Sequence, residues 1–131
     1  MTVGIAAATL NSWLNGLTRG TNWTAPVAIY VKLHTGDPGA SGTSNAAGNT
    51  TRQAGTFGSV ASGGSISSTA DVTWTNVSTS ETYSHVSFWD AVSSGTFLGS
   101  NSLSASRAVL SGDTFTITSG QLTFAVTPVA A

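Results

Sequence analysis

The side chains able to do acid–base or metal chemistry in this chain are few: Asp37, Asp71, Glu81, Asp90 and Asp113, with His34 and His85. In Lys32-Leu33-His34-Thr35-Gly36-Asp37 a histidine stands three residues before an aspartate, a spacing open to a proton-relay pair or half a metal site. The same residues also read as structure: a strand-end histidine whose ring bonds a loop carbonyl, and an Asp37 that opens a turn ahead of Pro38 and Gly39. That second reading is the expectation. His85, alternating in Tyr83-Ser84-His85-Val86, belongs on a sheet surface or against a partner. Glu81 and Asp90 near the two ends of one strand are a weak echo of the paired carboxylates of glycoside hydrolysis. Serine is abundant, yet no Gly-x-Ser-x-Gly elbow lies beside a plausible base. Gly36-Asp37-Pro38-Gly39 lacks the helix start and glycine spacing of a phosphate or dinucleotide loop. With no cysteine, thiolate metal sites and disulfides are excluded. The chain is therefore expected to be no enzyme and to carry no metal and no cofactor.

Aromatic residues offer a different chemistry. Trp23, Trp74, Trp89 and Tyr83 on a nearly neutral β-domain could stack on sugar rings. Trp74 shares strand parity with Ile66 and Val72 and reads as core, which leaves Trp89 and Tyr83 as the surface candidates for a glycan-binding module.

Charge decides between these classes. Four Lys/Arg and five Asp/Glu make 7% of the 131 residues, against roughly a quarter in an ordinary soluble domain. Ser and Thr together number 41. A coat of Ser, Thr, Gly and Asn suits a chain that lives assembled better than one that stays free in solution. Net charge is −1, so the electrostatic footprint of a nucleic-acid binder is missing. The apolar run at the start is short and interrupted by Asn11, Ser12 and Asn15, which fits neither a signal peptide nor a membrane span.

The elements that would position these residues follow from periodicity. Ala6, Leu10, Trp13, Leu14 and Leu17 fall on one stripe of a 3.6-residue period, so residues 4–18 read as one amphipathic helix packed on a core. Thr2 is the candidate N-cap, and Gly16 or Gly20 the stop. Residues 27–35 read as a buried strand. Residues 36–64 hold only Phe57 and Val60 as sizeable apolar groups and read as an extended loop or arm, too poor in apolar surface to order itself. Residues 65–127 read as an antiparallel β region. Two-residue turns at Ser119-Gly120 and Ser94-Gly95 would set Ile117 against Leu122, Phe115 against Phe124, Val92 against Phe97, Val86 against Leu103 and Trp89 against Ser100. The whole reads as a single domain spanning 1–131. It is mainly β, an antiparallel sandwich or flattened barrel of about seven to eight strands with one N-terminal helix.

Ala28-Ile29-Tyr30-Val31-Lys32-Leu33-His34-Thr35-Gly36-Asp37-Pro38-Gly39, followed by Gly42-Thr43-Ser44-Asn45 and Thr50-Thr51-Arg52-Gln53, resembles a family of small virion proteins of tailed bacteriophages described as tail-fibre-like or head-decoration proteins. The resemblance covers residues 1 to 58 and, more loosely, the later Trp-Thr-Asn-Val and Ser-Gly-Asp-Thr-Phe segments. It implies a structural part of the virion with no catalytic residues. Shaft repeats of a long fibre are missing, so the expectation is a decoration protein on the capsid surface. It would clamp the major capsid protein and further copies of itself, as a homotrimer, with a tail or tail-fibre component as the alternative. Asp37, Pro38, Arg52, Tyr83 and Trp89 are the candidate partner-binding residues. Arg52, one of four cations, is the best placed for a directed contact from the arm. No nucleic acid and no membrane is expected among the partners.

Overall fold

The computed structural model describes residues 3–59 and 63–125. Nine strands and one helix occur among them: β1 (Gly4–Ile5), α1 (Ala7–Arg19), β2 (Ile29–His34), β3 (Gln53–Gly55), β4 (Ser65–Ser67), β5 (Val72–Trp74), β6 (Glu81–Trp89), β7 (Phe97–Val109), β8 (Phe115–Ile117) and β9 (Thr123–Ala125). All pairing is antiparallel: β1-β7-β6-β2-β3 make one sheet, β4-β9 and β5-β8 two ribbons facing it. The arrangement is a β-sandwich with an N-terminal helix and does not close into a barrel.

Period-two patterning in β2 and β6 explains the large sheet. Val31, Leu33, Val86 and Phe88 turn to one side and are fully buried. Rings close the two layers over them. Phe88 meets Phe124 at 4.8 Å between centroids, and Tyr83 meets Phe115 at 5.0 Å. The expected core role of Trp74 holds: it is 1% exposed and packs on Phe115, its cross-strand neighbour.

Three expectations change. The helix begins at Ala7 with Ala6 as N-cap, not at Gly4 with Thr2, which lies outside the described residues. Gly4 and Ile5 instead add a strand to the β7 edge, and the Ala6 amide donates to Leu98 O at 2.8 Å. That bond goes together with the side of the helix that packs: Ala6 and Thr9 are buried and Trp13 is half-buried. Leu10, Leu14 and Leu17 of the expected core stripe face water, at 38%, 48% and 83% exposure. At the other end Gly20 takes a left-handed conformation and its amide closes on Asn15 O, the stop expected there.

Second, the Ser119-Gly120 turn does not make a hairpin. Gln121 N donates to Thr118 O at 3.0 Å, as in a tight turn, but β8 pairs with β5 and β9 with β4. The chain kinks there and continues along the 65–74 segment. Phe115, Ile117 and Leu122 are all buried, so the parity is right and the pairing wrong. Asp71 accepts the Ser119 amide at 2.7 Å and fixes the kink. The Ser94-Gly95 turn does join a hairpin, β6 to β7, but the register is displaced: Val86 opposes Asn101 and Trp89 opposes Phe97. Residues 90–96 form a wider loop, closed by Asp90 through the Thr96 amide, and Val92 is exposed.

Third, the 36–64 segment is ordered wherever it is described, although Val60 lies outside the described residues. β3 pairs with β2, Ala46 bridges His34, and Pro38, Gly42, Ala47 and Asn49 are buried. Within it Ala47 joins the hydrophobic core and Phe57 packs against that core, and the remaining ties are polar.

Candidate interaction site

The second face of the large sheet carries Tyr30, Lys32 and His34 from β2 and His85, Ser87 and Trp89 from β6. The register sets His34 against His85, Lys32 against Ser87 and Tyr30 against Trp89. The 36–52 segment lies over this face and is tied down at successive points. His34 Nδ1 bonds Ser44 O at 2.8 Å, and its Nε2 bonds Ser87 Oγ at 2.8 Å. A carbonyl only accepts, so Nδ1 carries the proton and Nε2 accepts from the Ser87 hydroxyl. Ser87 Oγ in turn accepts from Trp89 Nε1 at 2.7 Å. Further along, Glu81 accepts the amides of Gly48 and Asn49 at 3.0 and 3.3 Å, and Trp74 Nε1 donates to Thr51 O at 2.8 Å. Arg52 finishes the series: its guanidinium lies 4.0 Å from the Trp89 ring centre and donates to Ala91 O at 2.8 Å and Ser94 O at 2.6 Å. Burial lowers the pKa of His34, and burial with the Arg52 charge lowers that of Lys32.

Of the candidate contact residues, the fold brings Arg52 and Trp89 together, as donor and platform of one clamp. Trp89 is only 8% exposed. Asp37 closes the turn it was expected to open, accepting the Gly39 amide at 2.9 Å, while its carbonyl accepts from Asn45 Nδ2 at 2.8 Å. Pro38 beside it is fully buried. Tyr83 is a core ring with no exposed surface, and burial together with the Glu81 charge raises its pKa. Sugar-stacking through Tyr83 and Trp89 therefore has no open ring face to use. His34 takes the structural role expected of it, with both ring nitrogens committed. His85 is half-buried, its Nδ1 bonded to Ser84 Oγ at 2.8 Å.

A pattern unites the acids. Each of the five carboxylates accepts a backbone amide: Asp37 from Gly39, Asp71 from Ser119, Glu81 from Gly48 and Asn49, Asp90 from Thr96, Asp113 from Leu110. In a chain so poor in charge, its few acids close turns and loops. No group of three or more His, Asp or Glu suited to a metal ion occurs among the described residues.

Sequence reasoning missed the surface left open by α1. Leu10, Leu14 and Leu17 point outward. On the packed side of the helix an apolar cavity of about 180 Å³ remains, lined by Trp13, Trp23, Ile29, Phe57, Phe88 and Phe124 among others. Trp23 stands edge-on to Trp13 at 5.6 Å. The 3.6-residue stripe was legible, but its choice of side goes with the β1 ladder, two residues long and without a pattern of its own.

No curated protein matches the chain. A family model described as podophage GP4 fiber I protein gp80 matches residues 4–125, which spans the helix, every strand and the covering loop. The chain belongs to this family of phage structural proteins.

Proposed function

We propose that this virion component acts without catalysis, as a homotrimeric part of a podophage fibre displayed on the outside of the particle. The family match along nearly the whole sandwich supports the fibre reading, and the five carboxylates spent on backbone amides support a purely structural one. A side chain held in a turn by a charge-assisted bond keeps shape and is poorly placed to shuttle protons. The compact sandwich and the lack of any fixed-period shaft repeat in the sequence favour a second reading. In that reading the protein decorates the capsid and binds the major capsid protein through the covering loop. Gold-labelled antibody on purified particles, followed by cryo-electron microscopy with and without the protein, separates the two. Label and missing density on the tail appendages support the fibre, label over the head supports decoration, and absence from purified particles overturns both.

A further inference from the structure

From the outer face of the large sheet we infer a binding site for one doubly charged oxyanion, a phosphate or sulfate group, held between Lys32 and Arg52. The chain has only four Lys and Arg among its 131 residues, and the fold sets two of them side by side. In the β2–β3 ladder Val31 opposes Gln53, so the next position along brings Lys32 beside Arg52. Val31 is buried in the core and Arg52 lies over Trp89, which puts both cations on the outer face. Like charges opposed on neighbouring strands repel. An anion between them turns that repulsion into attraction.

The chain itself does not supply one. Lys32 is half-buried, and its ammonium has no hydrogen-bond or ion-pair partner among the described residues. Arg52 spends Nη1 on the carbonyls of Ala91 and Ser94. That leaves the Nε–Nη2 edge, two parallel donors suited to the two oxygens of one oxyanion. Burial lowers the Arg52 pKa and the Asp90 charge opposes the shift, but Asp90 Oδ1 is already held by the Thr96 amide. No carboxylate relieves Lys32, whose pKa is lowered by burial and then by Arg52. Lys32 adds in turn to the burial that lowers the pKa of His34.

Charge sets the class of ligand. Two unit charges facing one gap are matched by one dianion, whereas a carboxylate supplies half of that. All five side-chain carboxylates accept backbone amides, so a second copy is a poor source of the anion. Lys32 and Arg52 each keep part of their surface in water, which admits either a free ion or a phosphate ester on a sugar. The site is independent of whether the protein sits on the tail or the head.

The test uses the full chain at low ionic strength, where screening is least. Calorimetric titration with inorganic phosphate should show one site with a Kd on the order of 1 mM, and phosphate should raise the melting temperature. Acetate at matched ionic strength should bind at least about tenfold more weakly. Lys32→Met, which keeps the stem and removes the charge, should lower phosphate affinity at least about tenfold and abolish the thermal shift. Lys32→Gln should do the same, and Arg107→Met, at an exposed cation of β7, should bind phosphate as the parent does. Glucosyl phosphate separates the sources: equal affinity assigns the site to the free ion, tighter binding to a phosphorylated glycan. No response of the parent to phosphate, an equal response to acetate, or phosphate binding that survives both Lys32 variants overturns the site.

Discussion

His34 and Ser87 sit on adjacent strands and are not directly opposed, yet the Ser87 hydroxyl donates to His34 Nε2 across 2.8 Å. The bond requires a neutral imidazole. Both groups are fully buried beneath the covering loop, and the same ring donates from Nδ1 to Ser44 in that loop. One proton assignment thus ties the loop to the sheet.

Stability should fall with acid through this site. Burial holds the His34 pKa below its usual 6.5, partly opposed by the Ser44 carbonyl and reinforced by Lys32. Between the folded pKa and 6.5 the unfolded chain binds more protons, so stability rises with pH and is complete above 6.5. Melting temperatures from pH 7.5 down to 5 should therefore drop, and His34→Gln should start lower at pH 7.5 but slope less. A slope that survives His34→Gln unchanged would assign the effect elsewhere.

Arg52→Ala should destabilise by about 1.5–3 kcal/mol, from two charge-assisted bonds to carbonyls and a stacked ring. Arg52→Lys should recover less than half, since an ammonium neither forks nor stacks as a guanidinium does. Urea unfolding of the three proteins measures both, and a silent Arg52→Ala would mean that the loop holds without its last tie.

Gly42 tests how closely the loop is packed. Its φ is +72° and an added Cβ would collide with the Phe97 ring, whereas Gly120 has φ +85° and open space around it. Gly120→Ala should cost about 1 kcal/mol of backbone strain, and Gly42→Ala should cost that plus about 1–3 kcal/mol of overpacking. Equal losses in thermal unfolding would show that the loop yields freely.

Parity in β8 predicts a third contrast. Phe115→Ala and Ile117→Ala should each cost about 2–5 kcal/mol as buried truncations. Thr116→Ala, which loses a hydroxyl contact to Thr73 at 3.0 Å on the half-buried face, should cost under about 1 kcal/mol. A denaturant titration that ranks all three alike would overturn the assignment of faces.

Local pattern carried much of this molecule. Alternation in β5 and β8 is set by the pleat, so it told buried from half-buried residues even where the strand partner was wrong, whereas in β6 the surface roles expected of Tyr83 and Trp89 fail because both rings are buried. The Gly20 stop and the Asp37 turn are likewise short-range backbone geometry, readable from residue type. Partnership was not readable in the same way. Ser119-Gly120 has the residues of a hairpin turn, but whether the chain reverses or kinks there depends on Asp71 and on a ladder to residues 65–74, more than 40 positions away. The covering loop looked unable to order because apolar area was the measure, whereas His34, Glu81, Trp74 and Arg52 hold it by hydrogen bonds that exist only once the sheet has formed. For α1 the sequence determined an apolar stripe, and only the tertiary structure decided which side met the core. The β1 ladder, the Ala6–Leu98 amide bond and the inward packing of Thr9 and Trp13 go together with a helix rotation that leaves the leucines facing water.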